Sequence, residues 1–362
     1  MGAPTDGAML ANESRRREVQ GVTDSPEEGP SHIVRVTIDD VARAAGVSRQ
    51  TVSRALNDKS EIAPETRRRV LAEVERLDYR PNVFARAMKT RRSDVIGLII
   101  SDISNPFYPA VARGVFDAAE QAGRQVVLYN TDARAERERA ALDDLFARGA
   151  DGAVGFFYAL EEADLVEQAR RLRLVIADRR LDGPALTSVT SDFGAGTAAA
   201  IGHLLARGHR VIGMLDSSVG VAVDERRNAF LATLAAHGVD RHETPVVDAP
   251  PTIAGGAAAL VELLGAHPSV TAVFAFNDLM AFGAMRAATT LGRRVPGECA
   301  IVGFDDLAFA QFVNPPLTTV HTDKYAQGRA LVELLVAQPS AEPGTPARRL
   351  TLPAILVHRA SA

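Results

Sequence analysis

Two hydrophobic rhythms divide this chain: apolar positions at helical spacing up to about residue 80, then short apolar strands alternating with helices from Val95 onward. In the first part, Thr37 is a good N-cap for a helix from about Ile38 to Ala45, and Asp40 is placed to reach back as in a capping box. Ala42 is small enough to let a second helix approach. Gly46 sits where a sharp turn needs positive φ, Val47 plugs the corner, Ser48 caps the second helix, and Val52 turns back into the core. Pro64 suits the first turn of a third helix running to about Leu77, with Val70, Val74 and Leu77 at i, i+4 and i+7 as its buried stripe. Tyr79-Arg80-Pro81-Asn82 breaks that helix, and Asn82 to Lys89 is a further short helical segment.

The second part reads as strands at Val95–Ile100, Gln125–Tyr129, Gly152–Phe156, Leu174–Ala177, Val211–Leu215, Val246–Val247, Ala272–Ala275 and Ala300–Val302. Helices fall between them, among them Ala110 to Ala122 and about Gly194 to Leu205. Such alternation argues parallel sheets flanked by helices, in two similar lobes. Ligands of open α/β sheets sit beyond the carboxyl ends of the strands, here the cleft between lobes.

The spacing of Ala42, Gly46 and Val52 is that of a DNA-binding helix-turn-helix. Its second helix carries Arg49, Gln50, Thr51, Ser53 and Arg54 around one apolar anchor. Arg bonds guanine bidentately and Gln bonds adenine, so Arg49, Gln50 and Arg54 are candidate base readers. Against the alternative of an ordinary helical hairpin with a solvated face, turn, caps and polar choices all agree. Arg67, Arg68 and Arg69 face outward on the third helix, toward phosphate or solvent.

These residues resemble the LacI/GalR (lactose-repressor) family of bacterial regulators. The matching pieces are T-x-x-D-V-A-x-x-A-G-V-S-x-x-T-V-S-R at Thr37 to Arg54, L-x-Y-x-P-N at Leu77 to Asn82, and A-R-x-x at Ala85-Arg86. The resemblance implies an all-α helix-turn-helix headpiece and a two-lobed α/β core like that of periplasmic binding proteins. It implies the headpiece at 34–81, a hinge helix and linker at 82–92, and the core at 93–362, while residues 1–33, rich in Gly, Pro, Ser, Glu and Ala, read from their composition as a disordered N-terminal tail. The first lobe is then 93–190 with 322–346, and the second 191–321 with 347–362. The implied DNA-contacting set is Thr37, Ser48, Arg49, Gln50, Thr51, Ser53, Arg54 and Asn57 in the headpiece, with Asn82, Ala85 and Met88 in the hinge. The family's hinge folds on DNA and wedges a Leu into the minor groove, where this chain has Met88, apolar but more flexible.

The same resemblance marks ligand contacts in the cleft. Asn105 and Phe107 lie in a D-x-x-N-P-F motif, Arg226 in R-x-x-G-F with Ala229 replacing Gly, Asn277 in N-D, and Asp305 in G-[FY]-D-[DN]. Asp178, ending a strand, joins them, while Asp278 is read as the cap of the next helix. A guanidinium, a carboxylate and an amide around one cleft make a polyol site. The competing expectation is a structural ion pair between Arg226 and Asp305.

One motif points elsewhere. Gly194-Ala195-Gly196-Thr197-Ala198-Ala199 is a G-x-G-x-x-A helix start, with Asp216 near the end of the next strand, which is dinucleotide-fingerprint spacing. The preceding Leu186–Asp192 is too polar for a central parallel strand. An NAD-dependent oxidoreductase or redox-sensing repressor is therefore the second reading. No nucleophile elbow, P-loop or H-E-x-x-H is present, and His237 and His242, five apart, do not stack on one helical face. We expect no catalytic residues, no cofactor and no metal.

Composition adds localisation and polarity. Of 362 residues, 46% are hydrophobic and 24% charged, ordinary for a globular protein. Residues 33 to 92 carry 14 Lys and Arg against 8 Asp and Glu, whereas residues 93 to 362 carry 24 against 31, so a basic module sits on an acidic body. The lone Cys299 fits a reducing compartment, and neither a signal-peptide core nor a membrane-length apolar run is seen. The expectation is a cytoplasmic, nucleoid-associated homodimer on double-stranded operator DNA, with a small polar effector such as a sugar and no membrane partner. A binding protein of the transport type would need the missing signal peptide and would not carry the helix-turn-helix. After Leu350 no heptad pattern follows, so no C-terminal tetramerisation helix is expected.

Overall fold

The computed structural model describes residues 36–56, 62–80, 93–179, 181–217, 224–240, 244–338 and 347–362. The expected tail at 1–33, Asn57, and the hinge with Asn82, Ala85 and Met88 lie outside the described residues. The chain separates into two units, Met1–Pro81 and Asn82–Ala362.

The first unit holds helices α1 (Ile38–Ala45), α2 (Arg49–Leu56) and α3 (Pro64–Arg76). Thr37 closes a capping box, its hydroxyl accepting from the Asp40 amide while Asp40 Oδ2 accepts from the Thr37 amide at 2.9 Å. Gly46 ends α1 at φ 62°, and the Val47 amide donates to the Ala42 carbonyl at 3.0 Å, which turns the chain into α2. Only glycine takes this left-handed conformation without a side-chain penalty. Ser48 Oγ accepts from the Thr51 amide at 3.2 Å, as a cap should. Val41, Ala42, Ala45, Val52, Ala55, Val70 and Tyr79 form the buried core, with Val47, Val74 and Leu77 packed against it.

The second unit contains two six-stranded sheets. The first pairs β1 (Val95–Ile100), β2 (Gln125–Asn130), β3 (Gly152–Gly155), β4 (Leu174–Ala177), β5 (Thr187–Ser191) and β11 (Arg349–Leu352) in the order β11-β5-β4-β3-β1-β2, all parallel. The second pairs β6 (Ile212–Ser217), β7 (Val246–Ala249), β8 (Ala272–Ala275), β9 (Ala300–Asp305), β10 (Thr318–Thr322) and β12 (Ala354–Val357) in the order β12-β10-β9-β8-β6-β7, with only β12 antiparallel. Helices α4 (Phe107–Gln121), α5 (Ala135–Ala147), α6 (Glu162–Ala169) and α11 (Lys324–Ala337) belong to the first lobe. Helices α7 (Phe193–Ala206), α8 (Asp224–Ala236), α9 (Ile253–Ala266) and α10 (Asp278–Thr290) belong to the second. α4 starts three residues before the expected Ala110, because Pro109 falls in its first turn, where the missing amide costs nothing.

The chain passes between lobes at Asp192, Asp323 and Pro353. Asp192 and Asp323 each cap the helix that follows, accepting from the Ala195 and Ala326 amides at 2.9 Å. The third passage was expected close to Ala347, but Arg349–Leu352 still pairs with β5, so 349–352 belongs to the first lobe. Alternating Leu350 and Leu352 could serve either sheet; Pro353, which cannot continue a ladder, sets the break.

A second correction concerns Leu186–Asp192. Thr187–Ser191 is an interior parallel strand between β4 and β11. Its polar groups are satisfied in place: Thr187 Oγ1 accepts from the Arg348 amide at 3.2 Å, and the Ser191 amide donates to Asp178 Oδ1 at 3.1 Å. The strand nevertheless makes no dinucleotide fold. β5 lies in the first sheet and β6 in the second, so no βαβ unit surrounds Gly194–Ala199. A Cβ on Gly196 would come 2.8 Å from Val320 Cγ1 and 2.9 Å from Ala354 Cβ, so this glycine seats α7 on the second sheet.

Candidate functional site

On the first unit, α2 turns Arg49, Gln50 and Arg54 outward, with Thr51 and Ser53 half-buried at the edges of the same face. Arg49 Nε stands 4.0 Å from Asp39 Oδ1, an exposed contact too weak to hold the guanidinium back from another partner. Thr37 and Ser48 are engaged in their caps. Arg68 and Arg69 are exposed on α3, on the outside of the same three-helix core.

In the second unit, all six expected cleft residues line one cavity of about 100 Å³: Asn105, Phe107 and Asp178 from the first lobe, Arg226, Asn277 and Asp305 from the second. Each lies at or just beyond the carboxyl end of a strand, in the loop or in the first turn of the helix that follows. Tyr108, Tyr158, Ser101, Phe193, Ser217 and Phe276 complete much of the wall. Sequence reasoning did not reach Tyr158, Phe276, Ser101 or Ser217. Phe276 directly precedes the Asn277-Asp278 pair and Tyr158 follows the end of β3, and those positions were the available signal.

Arg226 is the cavity's cation, and rings surround it. Its guanidinium carbon lies 4.4 Å from the Phe193 centroid, 4.2 Å from Phe276 and 4.3 Å from Phe304. Desolvated contacts of this kind stabilise the charge on its faces and leave only its edges for hydrogen bonds. Its Nη2 is 3.9 Å from Asp305 Oδ1, and its buried Nε has no hydrogen-bond partner among the described residues. An ion pair between them therefore exists, but it is loose, and it leaves hydrogen-bonding capacity on both groups.

The carboxylates are unusual. Burial pushes Asp305 up to about 6, against the pull of Arg226 and Lys324. Burial also raises Asp178, opposed by hydrogen bonds from Gln327 Nε2 at 2.7 Å and the Ser191 amide. Both stand at positive φ, 46° for Asp178 and 107° for Asp305, conformations that surrounding structure must impose. Tyr108 accepts from Ser101 Oγ at 2.6 Å and lies 3.5 Å from the Tyr158 hydroxyl, which gives the first lobe a short chain of hydroxyls; burial pushes Tyr108 up to about 12, so it stays a neutral donor.

Asn277 is the N-cap of α10: its Oδ1 accepts from the Met280 amide at 2.9 Å and its Nδ2 donates to the Pro251 carbonyl at 3.3 Å. One lone pair and one N–H remain for the cavity. Asp278, expected to be the cap, is instead fully buried, accepting from Thr319 Oγ1 at 2.5 Å and the Leu307 amide at 2.6 Å. It braces the loop after β9. Asp216, the acid of the glycine motif, is bound by Arg227 Nε at 2.5 Å and the Ser217 amide at 2.8 Å.

Residues 37–82 match the model of bacterial regulatory proteins of the lacI family, and residues 201–362 match that of the periplasmic binding protein-like domain. The HTH-type transcriptional regulator GalS of Salmonella typhimurium is 36% identical over 301 residues, covering 83% of this chain and 88% of that protein. The ribose operon repressor of Halalkalibacterium halodurans is 36% identical over 85% of this chain and 91% of its own length. Among solved structures, a lac repressor dimer bound to operator and the anti-inducer ONPF superposes with a TM-score of 0.81 at 27% identity, covering 90% of this chain and 99% of that one. A transcriptional regulator CelR–cellobiose complex superposes with a TM-score of 0.67 at 32% identity, covering 91% and 100%.

Proposed function

The chain belongs to the lacI family of bacterial regulatory proteins, and from that premise we propose a repressor that binds a palindromic operator as a homodimer and releases or tightens it when a small neutral polyol occupies the cleft. Its relatives are transcriptional regulators, and we read this chain likewise as a non-catalytic one. We assign DNA binding to 34–81, the hinge to 82–92 and effector binding to 93–362. Among the described residues no helix is long and apolar enough to cross a membrane.

One observation carries the effector reading: Asp178 and Asp305 from opposite lobes face one ring-encased Arg226 in a single cavity. Carboxylates accept from hydroxyls, the guanidinium edge and the Asn277 amide donate to them, and rings cover apolar sugar faces. Both lobes contribute, so a bridging ligand favours one lobe angle, and only such differential binding can shift an equilibrium. The structures matched were solved with cellobiose and ONPF, so neutral sugars are the first probes. Calorimetric titration with cellobiose, D-ribose and NAD separates the readings: sugar binding supports this one, and NAD binding without sugar binding would replace it. Self-association has support in Phe309 and Phe312, 60% and 77% exposed on one short turn of the second lobe.

For the DNA face, Arg49 and Gln50 read bases from the start of α2 and Arg54 from one turn further on, Thr51, Ser53, Thr37 and Ser48 sit beside the backbone, and Asn57, Asn82, Ala85 and Met88 extend the contact. Gln50→Ala is expected to relax preference at one symmetric pair of positions, at ~1–3 kcal/mol per half-site. Arg68→Ala is expected to weaken all sequences alike and to flatten the salt dependence. Binding-site selection checks both, and an unchanged motif for Gln50→Ala removes it from the readout set.

A further inference from the structure

We propose that Lys324 is a positioning residue that ties the turn carrying Asp305 to the second interlobe passage, so that occupation of the cleft is transmitted to lobe angle. This rests on the reading of the cleft as the effector site, while the tie itself can be tested without ligand. Lys324 is the first residue of α11, directly after the Asp323 passage. Its ammonium donates to the carbonyls of Asp305, of Asp306 at 3.4 Å and of Thr322 at 2.9 Å. Three donors thus meet three acceptors. Asp305 ends β9, Asp306 directly follows it, and Thr322 ends β10.

The placement is costly by itself. A cation in the first turn of a helix faces the positive end of the helix dipole. The three carbonyls and the neighbouring Asp305 carboxylate offset that repulsion. The turn it grips is also strained, with Asp305 at φ 107° and Asp306 at φ 53°. Such backbone persists only where neighbours hold it. Lys324 holds its carbonyls. On the other side, Asp306 accepts from Arg359 Nη2 at 2.7 Å and pairs with His321 Nδ1 at 3.0 Å. His321 lies on β10, just before the second passage, and Arg359 follows β12, beyond the third. The carboxylate that faces the cavity therefore stands on backbone clamped between two passages. A ligand that pulls on Asp305 moves the strand ends on which the lobes turn, through a contiguous set of contacts.

Three variants separate charge from hydrogen bonding: Lys324→Met removes both, Lys324→Gln keeps a neutral donor, and Lys324→Arg keeps the charge. In the full-length ligand-free protein, hydrogen exchange at the Asp306 and Leu307 amides is expected to speed by about tenfold in Lys324→Met. The carboxyl of Asp305, followed by carbon-13 NMR and assigned with Asp305→Asn, faces Arg226, Lys324, Asp178 and Asp278. Its titration midpoint is expected to rise by about one unit in Lys324→Met and Lys324→Gln and to hold in Lys324→Arg. With cellobiose as probe, Lys324→Met is expected to need about tenfold more sugar for operator release, at unchanged operator affinity without sugar. Unchanged exchange together with an unchanged midpoint overturns the proposal, as does wild-type sugar release in Lys324→Met. If the wild type itself ignores the sugar probes, the effector reading fails while exchange and titration still test Lys324. If Lys324→Met does not fold, the midpoint in Lys324→Gln decides the same question: a rise supports the tie and an unchanged value overturns it.

Discussion

Val52→Asp should abolish operator binding while the unit from Asn82 onward stays folded and keeps its cleft. Val52 is fully buried in a small core that has seven buried side chains among the described residues. A carboxylate placed there must either ionise without a partner or stay protonated, and a shift of ~3–5 units to remain neutral costs about 4–7 kcal/mol. Domains are stabilised by about 0.05–0.15 kcal/mol per residue, so a headpiece this short has roughly 2–7 kcal/mol in all. The cost is of the same size as the whole. Ala44→Asp, on the exposed face of α1, supplies the matched control with the same change in charge. Gel shift should show no complex for Val52→Asp and a near-normal one for Ala44→Asp. Calorimetry should lose one unfolding transition and keep the other. Operator binding by a folded Val52→Asp headpiece would mean that α2 does not pack as described.

The headpiece was legible because local chemistry and global packing agree at each residue: Thr37 and Asp40 cap, Gly46 turns, Val52 packs. The hydrophobic strands were legible for a similar reason, since Val95–Ile100 or Ala272–Ala275 buried on both faces has no other use for its side chains. Thr187–Ser191 was misread because its polarity is a local signal, whereas its satisfaction depends on Arg348 and Asp178, which no pattern within the strand reveals. Asp278 shows the same limit. Its sequence position suits a cap, yet its partners are Thr319 and the Leu307 amide, brought near only by the fold. In the cleft, short motifs reached Arg226 and Asp305, but Tyr158 and Phe276 escaped. An aromatic after a strand reads alike whether it fills a core or walls a cavity, and the difference lies in what the other lobe places opposite.

Arg226→Ala and Asp305→Ala should give proteins that bind operator and ignore the effector. Each group retains hydrogen-bonding capacity toward the cavity, because their mutual contact is only 3.9 Å and Arg226 Nε has no partner among the described residues. Losing a charged hydrogen bond to a ligand is worth about 1.5–3 kcal/mol, roughly tenfold to a hundredfold in affinity. The two variants differ in stability. Removing Arg226 leaves Asp305 free to take up a proton, since burial already holds its pKa at about 6. Removing Asp305 leaves a buried guanidinium, which cannot discharge and keeps the Phe193, Phe276 and Phe304 rings and the Asp178 carboxyl across the cavity in place of its nearer carboxylate. Asp305→Ala should therefore be the less stable of the two, and Asp305→Asn, which keeps one acceptor, milder in both respects. The sign with pH follows from the same group. A sugar hydroxyl donates to the ionised carboxylate, so binding favours the deprotonated form and affinity should fall as pH drops through about 6, where Asp305 takes up its proton. Asp305→Asn, with nothing to titrate there, should lose most of that dependence. Calorimetric titration of cellobiose or D-ribose across that range, paired with gel shift, measures both effects. If Asp305→Asn keeps wild-type affinity and the wild-type pH slope, Asp305 does not meet the ligand. If Asp305→Asn and Arg226→Ala both fail to fold, the pair is structural and the effector binds elsewhere.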